Sequence, residues 1–406
     1  MTGHVLVAGA GIAGTAVALA LRRAGIGVTV AESRAADHAG GAGVRLNPNA
    51  MDALRAIGAD GAVIAASASL VRTEVFSPTG ERLSYRLAAD PASPRGLPRS
   101  MLWNRLSTAL RDEAARAGAE FRHDTRVTGV TRTADGIVAL LDDGGEIVAD
   151  ALVGADGVRS AVRTWIDPDA PAPQGGRTRT IYGFTPDPPC EPPPPEVLRI
   201  HLGARAFFAS RRDAHSGGCS WFTNVPVTGA RAGDGDDLRE RDLRERLDEL
   251  FGDDDSPAAS TVRHADRVLG FDDLALPHVP RWHTDRMIVI GDALHVAPPA
   301  SEQGAAMAIE DGVVLAQCLR DRPRPADAFA AFEALRRERV EAVVALGLGN
   351  APGPPRRGAA RLLHRARDRF AALGRLATLS DWQRRPPTGG PAWAYDHHID
   401  WTEKMR

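Results

Sequence analysis

A glycine spacing near the start of the chain restricts its fold more than any other feature. Gly9-Ala-Gly-Ile-Ala-Gly14 follows the apolar run His4-Val-Leu-Val-Ala8 and precedes Thr15–Arg23, a stretch without a helix breaker. A second short run, Val28-Thr-Val-Ala-Glu32, comes after Gly25 and Gly27. β-Branched residues in both runs, with alanine and leucine between them, predict strand, turn, helix and strand in a βαβ unit. In such a unit Gly9 permits the tight turn and Gly11 lets the backbone approach a pyrophosphate. Gly14 lets the helix pack closely, so that its first N–H groups face the anion. Glu32 ends the second strand, where a carboxylate can accept both hydroxyls of a ribose. The segment therefore reads as a dinucleotide site. Glu32 argues against a 2′-phosphate, but does not separate NAD from FAD.

Composition narrows the remaining choices. At 406 residues the chain is long enough for two or three packed units. Its net charge of −2 gives no overall field for gathering nucleic acid or an anionic membrane. Lys404 is the only lysine, so chemistry that needs a core lysine has no candidate. Cys190, Cys219 and Cys318 lie far apart without a CxxC, which excludes a disulfide framework or zinc site and fits a reducing compartment. The uncharged stretch Val5–Leu21 lacks a positive n-region before it and is shorter than the ~20 residues of a membrane span. A cytoplasmic protein without a metal centre is the expectation.

Further along, Ser100–Gly118 reads as a helix capped by Ser100, and Glu120–Val148 as a small antiparallel meander. Ala151–Gly154 and Met287–Ile290 read as buried strands. Between them, beyond a Pro/Asp/Gly-rich boundary at Asp167–Gly176, aromatic and β-branched runs predict a second sheet with long loops. Leu238–Phe251 reads as a charged helix with a solvated face. Helices are expected over about 304–319, 326–346 and 356–376, the last rich in arginine and solvated.

Two later motifs each place an aspartate after a buried strand: Gly154-Ala-Asp-Gly-Val-Arg-Ser160 and Gly291-Asp-Ala-Leu-His295. With the first glycine loop, with Arg45 in Gly43-Val-Arg-Leu-Asn-Pro and with Arg105 early in its helix, the set resembles the class A flavoprotein monooxygenases of the para-hydroxybenzoate hydroxylase fold. The resemblance covers about residues 1–345. It implies an α/β chain in which a Rossmann-like FAD-binding domain (1–72, 100–175, 280–345) is interleaved with a mainly antiparallel β-sheet substrate domain (73–99, 176–279). C-terminal helices and an aromatic tail (346–406) follow.

The resemblance also implies roles. Gly9, Gly11, Gly14, Glu32 and the adjoining Arg34 would hold the ADP half of FAD. Arg45 and Arg105 would lie along the cofactor, Asp292 would accept from the ribitol chain, and the isoalloxazine would rest beside Pro299. Asp156 would stand at the other end of the groove. Gly304 and Ala305 open a helix whose free N–H groups would face the flavin edge that turns anionic on reduction. The family pattern has glycine where Glu302 stands and asparagine where Ala306 stands. Glu302 is thus either a first-turn carboxylate complementing the helix dipole, its side chain in solvent or on an arginine, or a substrate contact that orients an amine or takes a phenolic proton, and is the one candidate catalytic residue.

The implied activity uses NAD(P)H and O2 to insert one oxygen atom, most simply by hydroxylation, into an aromatic or polycyclic small molecule through a flavin C4a-hydroperoxide. Composition rich in arginine, alanine and proline suits a GC-rich bacterial genome and points to natural-product tailoring or antibiotic modification. Phe207, Phe208, Trp221 and Phe222 are candidate pocket residues, about half of which alternation must turn away. His201, His215 and His295 are candidate proton handlers. An FAD-linked dehydrogenase or reductase, or a flavin-binding protein without catalysis, are the alternatives. The protein would act as a monomer or homodimer. Its tail, with Trp393, Tyr395, His397, His398 and Trp401, is expected to dock on the FAD domain or a partner subunit.

Overall fold

The computed structural model describes residues 3–36, 42–77, 79–88, 96–227, 240–252, 254, 256–350 and 392–405. The opening segment folds as its spacing predicts: strand His4–Ala8, helix Ile12–Arg23, strand Gly27–Ala31. These strands lie inside a five-stranded parallel sheet, flanked by Ala151–Gly154 and Met287–Val289 on one side and Glu120–Arg122 on the other. The three central strands run as nearly unbroken apolar stretches because helices cover the sheet. The helices Ile12–Arg23 and Gly304–Asp321 approach so closely that a Cβ on Gly312 would stand 2.7 Å from the Val17 amide nitrogen.

Glu120–Arg122 joins this parallel sheet, and the antiparallel meander is confined to Val127–Arg132, Ile137–Leu141 and Glu146–Ala149. A short alternating run cannot reveal which neighbour it will pair with; here Thr29–Ala31 supplies the edge. Ser100 caps no helix. It lies in strand Arg99–Leu102, opposite Arg45, its hydroxyl donating to the Val44 carbonyl at 3.2 Å, and the helix runs Trp103–Arg116.

The second body is a seven-stranded sheet in the order 267–275, 174–185, 219–226, 207–212, 197–202, 72–76, 82–87. All pairs are antiparallel except Val197–Leu202 with Arg72–Phe76. Helix Glu240–Phe251 is amphipathic rather than solvated all round. Leu243, Leu247, Leu250 and Phe251 bury against Ile181, Phe208, Trp221 and Val225 on one face of that sheet. The last long helix, Pro325–Asn350, runs across the expected boundary at 346, and the expected helix over 356–376 falls outside the described residues.

The tail docks on the parallel-sheet half. Asp52 accepts from the Ile399 amide at 2.9 Å, Gln317 donates to the Asp400 carbonyl and Arg322 to that of Met405. Trp401 lies between the guanidiniums of Arg23 and Arg320, 5.8 and 5.0 Å from its ring centre.

Candidate functional site

The three glycines of the first loop serve different needs. Gly9 sits at φ +100°, where a Cβ would strike the Ala155 carbonyl oxygen at 2.5 Å. A Cβ on Gly14 would stand 1.9 Å from the Gly9 oxygen, so that position is fixed by close helix–loop packing. A Cβ on Gly11 would meet nothing within 4 Å beyond its own chain neighbours and helix backbone. Two glycines are thus required by the protein itself, while the middle one opens on empty space, as a loop that admits a pyrophosphate requires. Glu32 accepts from the Ala10 amide at 2.6 Å and the Arg34 amide at 2.9 Å, which ties the second strand's end to the loop.

Asp156 binds the chain to itself. It accepts from the Ser160 hydroxyl and from the Ala161 and Val162 amides, anchoring the start of helix Ala161–Ile166. Arg163 of that helix donates to the Ala293 carbonyl at 2.9 Å, reaching the turn that carries Asp292. The Asp292 side chain is exposed at this turn yet surrounded by protein mass, and that desolvation raises its carboxyl above the usual carboxylate range.

A buried polar bed lies under this region. Asp311 accepts from the Gly291 amide, His295 and Arg336, while Glu310 accepts from Arg336, Arg339 and Asn49. Asn49 also donates to Gln303, and Asn47 to the Glu302 carbonyl. Burial alone would raise Glu310; Arg336 and Arg339 outweigh it and hold the carboxyl at about 2. The bed fixes the backbone of Gly291–Asp292 and of Glu302–Gln303 from below.

Glu302 does not lie in a helical first turn. It ends the 3₁₀ turn Pro299–Ser301 in a left-handed conformation, φ 53° and ψ 23°, with its carboxylate 2.9 Å from Arg45 Nη1. Glycine would adopt that backbone unaided, and Arg45 offsets the charge of the Glu302 carboxylate. Arg105 pairs with Asp213 at 3.0 Å, joining the first helix after Leu102 to a hairpin of the seven-stranded sheet.

The pocket candidates divide by strand alternation. Phe208 and Trp221 lie beneath helix Glu240–Phe251, with Phe208 edge-on to Phe251 at 5.7 Å between ring centres, and they line core. Phe207 and Phe222 occupy the opposite face with Tyr182, ring centres 5.8 and 6.0 Å apart in turn. Ser220 belongs to this second face, close to Gly43 beside Arg45, so this face meets the parallel-sheet half. The histidines are scattered. His201 stacks on Phe76 and burial pushes it down to about 4; His215 binds the Ala65 carbonyl, and His295 serves the Asp311 bed.

The residue that sequence reasoning passed over is Arg211. It pairs across the strands with Ser220, is 5% exposed, and its Nη1 has no hydrogen-bond partner. The nearby Asp213 is engaged by Arg105 and Ser216. Burial lowers the Arg211 guanidinium to about 10, still a cation at neutral pH. The signal was present: in Phe207-Phe-Ala-Ser-Arg-Arg212 a period of two must turn one arginine to the Phe207 side.

The model of the FAD binding domain family matches residues 2–346. The chain belongs to the class A FAD-dependent monooxygenases. It is 30% identical over 361 residues to aurachin C monooxygenase/isomerase of Stigmatella aurantiaca, covering 84% of this chain and 87% of that protein. Against the phenazine 1,6-dicarboxylic acid hydroxylase PhzS of Lysobacter antibioticus the figures are 30% over 362 residues, 84% and 88%. Zeaxanthin epoxidase of Solanum lycopersicum matches at 30% over 334 residues, and there the monooxygenase spans 47% of a longer protein. Among solved structures, HpxO of Klebsiella pneumoniae with FAD and uric acid superposes with a TM-score of 0.74 at 24% identity, over 86% of this chain and 87% of that one. That likeness concerns the fold.

The monooxygenase uses FAD, with NAD(P)H as transient reductant. Its own residues suit the flavin cofactor: Gly11 and Gly304 open on empty space, Asp292 is accessible, and the buried Arg45 Nε lacks a partner. Among the described residues no helix is long and apolar enough to cross a membrane, and none of their acidic, cysteine or histidine groups clusters as a metal site.

Proposed function

We propose that the monooxygenase hydroxylates an aromatic or polycyclic small molecule carrying an anionic group, with O2 as oxygen donor, in natural-product tailoring or antibiotic modification. The observation that carries this reading is Arg211: a buried cation with one nitrogen lacking a hydrogen-bond partner, its nearby Asp213 engaged by Arg105 and Ser216, on the sheet face that also presents Phe207, Phe222 and Tyr182. A buried guanidinium nitrogen left unbonded is costly, and a substrate carboxylate, phenolate or enolate would satisfy it. Relatives that act on aurachin C and on a phenazine dicarboxylic acid support the substrate class.

The division of labour follows the two sheets. Gly9, Gly11, Gly14, Glu32 and Arg34 hold the ADP half; Asp292, Pro299, Gly304 and Ala305 meet the ribitol and flavin, and Arg45 adds its cation near them. FAD held there would supply the hydride acceptor for NAD(P)H and the activation of O2. The chain supplies the rest. Phe207 and Phe222 present an apolar wall that excludes water, and Arg211 orients the substrate by its charge. Burial and then the Asp273 carboxylate push the Tyr182 phenol up to about 12, so it remains protonated and can donate to a substrate oxygen. A cytoplasmic setting suits the three free cysteines.

Hydroxybenzoates and hydroxynaphthoates, each with its methyl ester, test the reading. The acids should bind ~10–100-fold more tightly than the esters, the span of one charge-assisted contact. Arg211→Met should erase that difference and leave bound FAD unchanged. Equal binding of acid and ester by the native protein would overturn it.

A further inference from the structure

Glu302 occupies a backbone region that costs a non-glycine residue about 1 kcal/mol. Among the described residues only Asp124 shares this feature. Several contacts hold Glu302 there. Its amide donates to the Pro299 carbonyl at 2.9 Å, its carbonyl accepts from Asn47, and its carboxylate meets Arg45. The remaining restraint comes from far away in sequence. The Tyr395 hydroxyl donates at 2.9 Å to the Ser301 carbonyl, the oxygen of the peptide bond that enters Glu302.

Tyr395 is well placed to act as a fixed post. It is 2% exposed, and its neighbours are tied down on the bed that also carries Glu310. Arg339 donates to the carbonyls of Trp393 and Ala394 at 2.8 and 3.0 Å while its Nε and Nη2 grip Glu310. Asp52 then takes the Ile399 amide and His398. A tail that served only to cover apolar surface would need no donor aimed at that peptide oxygen. From the other side, Gly347 leaves room for the turn: a Cβ there would stand 2.9 Å from Pro298 and 3.2 Å from Ser301.

We propose that Tyr395 is a positioning residue for the flavin. Its hydroxyl locks the Ser301–Glu302 peptide, keeps Glu302 left-handed on Arg45, and so holds the Gly304 helix start where the isoalloxazine lies. The inference rests on the reading that Pro299–Ala305 meets the flavin. It predicts a specific dependence: Tyr395 matters because residue 302 is not glycine.

The test is a double-mutant cycle on the FAD-loaded protein with Tyr395→Phe, Glu302→Gly and both together. Phenylalanine keeps the packing and removes only the hydroxyl. Hydrogen exchange at the Glu302 and Gln303 amides should quicken about fivefold in Tyr395→Phe, and FAD release by a similar factor, as for the loss of one hydrogen bond. In the Glu302→Gly background the same change should alter either quantity less than about twofold, because glycine adopts this backbone unaided. Exchange equal to the native protein's, or an equal factor in both backgrounds, overturns the inference. Faster exchange with unaltered FAD release upholds the lock and overturns the placement of this segment at the flavin.

Discussion

Two buried arginines show how differently the two halves of the molecule use the same side chain. Arg336, 1% exposed beneath the Gly291 and Gln303 segments, meets both Glu310 and Asp311, at 2.7 and 2.9 Å. Arg211, 5% exposed in the seven-stranded sheet, meets no carboxylate among the described residues. The surroundings act in opposite directions. The two carboxylates overcome burial and raise Arg336, whereas burial prevails at Arg211 and lowers it. A cation gripped by two carboxylates builds a rigid floor; one with an unbonded nitrogen and only the already engaged Asp213 nearby is open to a partner from outside.

The largest expected effect breaks the first of these. Arg336→Met leaves Glu310 and Asp311 without their shared counter-ion and should lower the free energy of unfolding by about 3–5 kcal/mol in a urea titration. If Arg211→Met cost as much, the contrast would fail, because both would then be structural. Acid should sharpen the same point. Glu310 titrates near 2 in the folded protein against an ordinary 4.5, so its stabilisation is complete above pH 4.5. It is lost as pH falls from there towards 2, by an amount on the order of 3 kcal/mol. Glu310→Gln should remove that part of the acid unfolding curve.

Arg211→Met itself is expected to leave the urea midpoint unchanged or slightly higher, while kcat/KM for an anionic aromatic falls by ~2 kcal/mol of transition-state binding. The remaining effect concerns the tail, where partial exposure of His397 lets solvent screen much of the cost. Burial, the leading cause, lowers His397 from 6.5 to about 4. The unfolded chain therefore takes up a proton that the fold refuses, and stability declines as pH drops from 6.5 to 4. His397→Phe should flatten that slope in thermal melts.

How much of this was legible in the sequence depends on how locally each feature is determined. The glycine loop could be read because turn, strand and helix lie within thirty residues and each glycine answers a separate steric demand. Glu120–Arg122 could not be assigned to the parallel sheet, since its partner is chosen by Thr29–Ala31, some ninety positions away. Ser100 was taken for a cap because serine serves helix starts and strands alike, and only its pairing with Arg45 decides. Period two separates Phe207 and Phe222 from Phe208 and Trp221, but helix Glu240–Phe251 decides which side is core. Arg211 was within reach of the same argument. Tyr395 on Ser301 was not, because no local pattern announces a contact across 94 residues.

The order of strands has a consequence for biosynthesis. Gly9–Gly14 leaves the ribosome well before Met287–Val289, Asp311 and Arg336, which complete its sheet and its floor. Strand Arg72–Phe76 likewise waits for Val197 onward before it gains its parallel neighbour. The parallel sheet of a nascent chain thus stays incomplete, and its polar floor unformed, until those later segments have emerged.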